Sequence, residues 1–220
     1  RAIRDLGATH VWYTGVIRHA TAQYNKPEIV KGKAGSPYAI TDYYDIDPDI
    51  CEDKRRRMQE FLELVERSHQ AKLDVIIDFV PNHVAREYHS VCKPKGVEDL
   101  GEKDNPAWAF SPLNNFYYLN EPFAPQFDVA EYEENPARAT GNDCFSAHPS
   151  KQDWYETIKL NYGVFYQGNG EQQFDPIPNT WYKMLHILLF WSSKGVNGFR
   201  CDMAEMVPQA FWAWVIPQLE

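Results

Sequence analysis

An α/β fold built on a parallel sheet, forming part of a closed (β/α)8 barrel, is the class that the sequence predicts, and three observations lead to it. Short β-branched runs alternate with longer amphipathic stretches, the pattern of parallel strands joined by right-handed crossovers. The clearest of these runs is apolar on both faces except at its ends, as a strand covered by helices on two sides must be. Polar residues gather at the carboxyl ends of the runs, where barrel enzymes assemble their sites, and this favours a barrel over a doubly wound sheet.

The elements follow in order. Arg1-Ala2-Ile3-Arg4-Asp5-Leu6-Gly7 reads as the last turn of a helix ending near Gly7, so the chain is expected to be an excerpt whose missing front could carry a targeting signal. Residues 8–16, with Val11, Trp12, Tyr13 and Val16, form a first buried strand. Residues 20–51 read as a long functional loop, with Gly, Pro and the paired Tyr43 and Tyr44. Met58, Phe61, Leu62, Val65 and Leu73 fall close to i, i+3, i+4, i+7 spacing and predict a helix over 52–71. Residues 74–80 form the second strand, with Asp78, Asn82 and His83 at its carboxyl end. Residues 84–175 have no helical periodicity and many Pro, Asn and aromatic residues, and read as an irregular inserted subdomain. A helix over 180–191, capped by Asn179 or Thr180 and ended before Gly195, leads to a third strand at 196–202. Pro208 starts a last helix that is expected to run to Glu220. Residues 1–83 are thus the first part of a barrel, 84–175 the insertion and 176–220 the continuation of the barrel.

Composition narrows the function. With 44% hydrophobic residues the chain has material for a packed core, and a net charge of −9 disfavours a nucleic-acid partner, which needs clustered Lys and Arg. The dense run Lys54-Arg55-Arg56-Arg57 reads as a solvated helix face. Cys51, Cys92, Cys144 and Cys201 have no metal-binding or disulfide spacing, which leaves the redox compartment open. No apolar run reaches the ~20 residues of a membrane span. No organic cofactor is expected. An extracellular or periplasmic location is favoured over a cytoplasmic one.

Two segments carry the chemistry: Asp78-Phe79-Val80-Pro81-Asn82-His83 and Gly198-Phe199-Arg200-Cys201-Asp202. Both resemble signature strand ends of the α-amylase family of retaining glycoside hydrolases, often written DxVxNH and GxRxD, and they stand in the family's order and context. The resemblance implies strands 2 to 4 of a TIM (β/α)8 barrel, with the subdomain inserted after the third strand. It implies an enzyme that cleaves α-glucosidic bonds of starch-like glucans or maltooligosaccharides.

Asp202 resembles the family's nucleophile. Arg200, two residues earlier on one strand, projects to the same side and can hold the carboxylate ionised and oriented. By resemblance His83 hydrogen-bonds a sugar hydroxyl at the cleavage subsite, Asp78 contributes to substrate binding, and Tyr38 is the aromatic platform against which a sugar face stacks. Asn82 resembles a residue that commonly ligates a structural calcium, an alternative to a plain amide tying down loop backbone; Asp175 would be a second ligand from the insertion. Where many members have Lys-His after the nucleophile, this chain has Ala204-Glu205-Met206. The family's general acid, a Glu on the next strand, and its third carboxylate both fall past residue 220, and Glu205 does not stand at the acid's position. Transglycosylation, or a catalytically silent barrel acting as a binding module, are the alternatives.

Overall fold

The computed structural model describes residues 2–219; Arg1 and the expected helix end at Glu220 lie outside the described residues. The chain opens with α1 (Ala2–Asp5), which ends at Gly7 with φ +86°, and continues into β1 (His10–Tyr13). The next stretch corrects the sequence reading. Residues 20–51 are not one loop: β2 (Ile17–His19) pairs antiparallel with β3 (Ile40–Ile46), whose seven residues are all buried. Two acidic residues inside β3 disguise it, because Asp42 and Asp45 interrupt the apolar run.

Both carboxylates are buried at tolerable cost because their oxygens are engaged. Asp42 accepts from the backbone N–H groups of Tyr44, Val91 and Cys92 at 2.8–2.9 Å and from the Ser90 hydroxyl at 2.5 Å. Asp45 is gripped by Arg57 at 2.7 and 2.8 Å and by Arg18 at 3.1 Å. Asp42, Asp45 and Cys92 lie near enough to one another to hold a metal ion, but these guanidinium and N–H donors already fill the acceptor positions. Arg57 is therefore an anchor for β3, whereas Lys54, Arg55 and Arg56 are exposed as the solvated reading expects, Lys54 in a surface pair with Asp49 at 2.6 Å.

Helix α2 (Arg57–Gln70) starts later than the periodicity suggests, since residues 52–56 form turns whose Glu52 and Asp53 N–H groups donate to the Glu60 carboxylate at 2.9 Å. It buries Phe61 and Val65, and Phe61 meets the Trp191 ring edge-on at 5.6 Å. Strand β4 (Asp74–Phe79) follows, and then β5 (His83–Ala85), which pairs antiparallel with β6 (Thr157–Lys159). Between these two, residues 86–156 contain no helix among the described residues, and they are held by side-chain anchors instead. The strongest is a buried triad. The Glu134 carboxylate takes the Arg86 Nη1 at 2.8 Å and the Arg138 Nη2 at 2.9 Å, while the Arg86 guanidinium also lies over the Phe123 ring at 4.1 Å. Burial pushes the Glu134 carboxyl upward, but Arg138 and Arg86 outweigh it and hold it at about 2.

A small hairpin of β7 (Val164–Phe165) and β8 (Glu171–Gln172) precedes α3 (Asn179–Ser193). Asn179 and Thr180 do not cap α3, whose N-cap is Pro178. Instead both side chains receive hydrogen bonds from the Asn115 amide, at 2.9 and 3.1 Å, which tie the helix start to the preceding irregular segment. Residues 181, 184, 188 and 191 of α3 are buried at helical spacing, and the Trp191 indole N–H donates to the Tyr43 carbonyl at 2.8 Å. Gly195, at φ +89°, turns the chain into β9 (Gly198–Cys201). Helix α4 (Gln209–Val215), with Pro208 at its N-cap, then passes into a short 3-10 turn and not one continuous helix.

Strands β1, β4 and β9 form a parallel sheet in the order β1-β4-β9, as the alternation of elements predicts. Register matters most at its carboxyl edge, where Asp78 of β4 stands opposite Arg200 of β9.

Candidate active site

The β4/β9 register brings together the two strand ends singled out from the sequence. Arg200 Nη1 donates to Asp202 Oδ1 at 2.7 Å and reaches Asp78 Oδ1 at 3.3 Å, so one guanidinium orients both carboxylates. The other Asp78 oxygen accepts from the Gly15 N–H at 2.8 Å, which ties in the end of β1. Gly15 has φ +64°, and a Cβ there would lie 2.8 Å from Pro37, so the close turn requires glycine. All three strand ends therefore meet at one edge of the sheet. The Asp78 and Asp202 side chains are 5% and 11% exposed, while Arg200 is 39% exposed, so the carboxylates are largely buried and the cation is partly open to solvent.

Two rings flank the guanidinium. Tyr38 and Trp12 each lie 5.5 Å, centroid to carbon, from the Arg200 head, close enough for cation–π attraction. Just after Asp202, Met203 adopts the left-handed region at φ 49°, a conformation that costs a non-glycine residue energy and clusters at functional sites. It ends the strand immediately beyond Asp202.

A cavity of about 260 Å³ opens over this edge, and Asp202, Met203, Tyr38, His83, Trp154 and Glu156 are among its walls. Its size is just below the ~300–1,000 Å³ of drug-sized ligand pockets. His83 is 4% exposed and packs edge-on against Trp154 at 5.3 Å. Its tautomer follows from its neighbours. Asn82 Oδ1 accepts from the Lys159 ammonium at 2.8 Å, so Asn82 Nδ2 is the end that faces His83 Nδ1 at 3.1 Å, leaving the ring proton on Nε2. Burial first, and the Lys159 charge second, push His83 down to about 3, with the Tyr38 backbone opposing only in part. The ring is neutral throughout the physiological range.

This carries a stability consequence. A histidine in the unfolded chain titrates near 6.5, so from about pH 6.5 down to about 3 the unfolded state takes up a proton that folded His83 refuses. Stability is unaffected above this window and falls within it as pH drops. Urea midpoints of the full-length protein between pH 7 and 4 are expected to fall, and to fall less steeply in His83→Gln. Equal slopes for the two proteins would show that His83 is not held neutral.

Asn82, expected as a calcium ligand, has other work. Besides Lys159 and His83, it donates to the Gly141 carbonyl at 2.8 Å, and Lys159 continues to Asp143 at 2.6 Å. The Lys159 side chain is only 2% exposed, so its ammonium sits between the two oxygens where a cation would need to be. Asp175 is exposed and is not among the partners of Asn82. The donor set around Asn82 therefore does not fit calcium, and the alternative of an amide tying down the loop is what the geometry supports.

Several site residues carry no readable signal in the sequence. Trp12 and Met203 arrive through the sheet edge, Trp154 and Glu156 through the segment between β5 and β6, and Lys159 through β6 itself. Glu205 is exposed and is not among the residues that line the cavity.

Comparison with known proteins agrees with the geometry. The family model described as alpha amylase, catalytic domain, matches residues 2–213. "Maltase 1" of Drosophila virilis is 28% identical over 200 residues, covering 90% of this chain and 26% of that protein. The "Alpha-1,4-glucan:maltose-1-phosphate maltosyltransferase" of Cereibacter sphaeroides is 26% identical over 228 residues, covering 99% of the chain and 29% of that protein. Among solved structures, an alpha-amylase from Lactobacillus plantarum superposes with TM-score 0.59 at 25% identity, covering 99% of the chain and 36% of that structure. The debranching enzyme of Nostoc punctiforme gives TM-score 0.60 at 19% identity, a likeness of fold, covering 99% of the chain and 34% of that structure. The chain thus spans between a quarter and a third of the length of these two curated relatives.

Proposed function

The chain belongs to the alpha-amylase catalytic-domain family and its parallel sheet is part of a TIM barrel, and on that premise we propose that it is the nucleophile-bearing part of a retaining enzyme acting on α-glucosidic bonds of glucans or maltooligosaccharides. The observation that carries this is the Arg200 guanidinium on Asp202 at 2.7 Å at the strand ends, with Asp202 itself in the wall of a cavity shared with Tyr38 and His83. A buried structural ion pair would explain the contact but not that placement.

In the first step an Asp202 oxygen bonds to the anomeric carbon as the bond from that carbon to the leaving oxygen breaks; a protonated carboxyl from another strand gives the leaving oxygen its proton. Arg200 holds the Asp202 carboxylate aimed, and Asp78 fixes Arg200 through a second contact. Neutral His83 offers its Nε2 proton to a sugar hydroxyl, and Tyr38 offers a ring face. In the second step water, deprotonated by the same carboxyl, attacks the anomeric carbon and releases Asp202. A sugar hydroxyl in place of water gives transglycosylation from the same intermediate. A silent barrel would not need Arg200, Asp202, Asp78 and His83 assembled together. Residues 84–175 act here as an inserted subdomain that lends Trp154 and Glu156 to the site.

The test is to trap the intermediate. Incubating the full-length protein with a 5-fluoro-α-glucosyl fluoride is expected to give a covalent adduct, by mass spectrometry, on the peptide containing Asp202. A protein that turns over α-glucosides but carries the adduct on another carboxylate would remove the role assigned to Asp202.

A further inference from the structure

Glu156 is the acidic residue in the cavity wall that the two-carboxylate mechanism does not use. Its position is unusual. The residue is 5% exposed, and Oε2 is buried without a hydrogen-bond partner among the described residues. The other oxygen has only a long ion pair, 3.7 Å, with Lys31, whose own side chain is 52% exposed. Other buried carboxylates have their oxygens engaged: Asp78 by Gly15 and Arg200, Glu134 by two arginines. A buried, unsatisfied carboxylate oxygen is costly and uncommon in native proteins, and in a cavity wall it marks a place where a ligand supplies the donor.

The available donor chemistry is restricted. Glu156 and Asp202 line one cavity of about 260 Å³, so whatever reaches Glu156 belongs to the molecule whose anomeric carbon faces Asp202. Trp154, two residues earlier, packs on His83, which fixes this part of the wall relative to the cleavage point. Resting on the glycosidase reading above, we infer that Glu156 is a specificity-determining residue: its carboxylate, short of a partner among the described residues, turns to accept a hydrogen bond from one glucosyl hydroxyl, and the Lys31–Glu156 pair forms the side wall that selects how the sugar is seated. The role is positioning by direct contact with substrate, not proton transfer to the leaving group.

The experiment combines binding and turnover in the full-length protein. Maltotriose binding is measured by calorimetry in an Asp202→Asn background, with and without Glu156→Gln, and then with a set of monodeoxy maltotrioses. Removing the charged acceptor is expected to weaken maltotriose about tenfold or more, the scale of one charge-assisted hydrogen bond. One monodeoxy analogue is expected to be weak on the Glu156 protein and equally weak on Glu156→Gln, because the partner of the missing hydroxyl is the missing charge. Thermal melting of each variant establishes that it is folded, and Lys31→Met, a change at an exposed residue, provides a second route to altered binding should Glu156→Gln not fold. Maltotriose bound equally well with and without a folded Glu156→Gln substitution, or a loss shared evenly by every deoxy analogue, overturns the inference. The two readings fail separately: Glu156-dependent binding by a protein with Asp202 intact that cleaves no α-glucoside removes the hydrolase reading alone, whereas turnover with Glu156-independent binding removes this one alone.

Discussion

Replacing Asp202 with asparagine in the full-length protein is expected to lower kcat on maltooligosaccharides by at least about 10⁴-fold, the scale seen when a catalytic nucleophile is removed. The fold is expected to survive. Asparagine keeps an oxygen for the Arg200 Nη1 contact of 2.7 Å and is nearly the same size, so the sheet edge has nothing to repack. What it lacks is a charge and a nucleophilic lone pair. The check is reducing-sugar release alongside the melting temperature. A folded variant working within tenfold of the parent would rule out Asp202 as nucleophile, and an unfolded one would show the carboxylate to be part of the framework.

The second large effect concerns stability. Arg86→Met is expected to cost about 3–5 kcal/mol, the usual result of removing one partner from a buried ion pair. Arg86 is fully buried and Glu134 nearly so, so the glutamate would keep Arg138 as its one cation, with the Tyr132 hydroxyl, while losing the 2.8 Å contact; the cover over Phe123 would go too. A urea midpoint lowered accordingly is the expected reading. Replacing Arg86, Glu134 and Arg138 together by apolar residues is expected to recover part of the loss, because no charge is then left buried alone. A single variant as stable as the parent would show that water or rearrangement satisfies Glu134.

The contrast between what was legible in the sequence and what was not has a physical basis. The strands at the sheet edge were readable because residues 74–79 are apolar with a carboxylate at the end, and because Arg200 and Asp202 sit two apart. Strand β3 was not, since its aspartates look like loop residues until the donors that bury them, Arg18, Arg57 and the Ser90–Cys92 backbone, are in place. Those donors come from up to 50 residues away, beyond the reach of local pattern. The same limit hides Trp12, an ordinary strand aromatic until register sets its ring against Arg200. It hides Glu156 too, whose significance lies in a partner it lacks.

The ammonium of Lys159, lodged between Asn82 and Asp143, is a counter-ion without a dissociation equilibrium. A joint clamped by a dissolved ion gains stability with the logarithm of that ion's concentration and loosens when the ion is sequestered. A clamp tethered to its own backbone obeys no such mass action. Its occupancy is the same in an ion-poor medium as in an ion-rich one, and it forms with the fold in a single step. The exchange is in reach: an ammonium offers three donors, whereas calcium gathers six to eight oxygens, so the lysine joins β6 to Asn82, just ahead of β5, and to the Asp143 turn, and can recruit few further strands of chain.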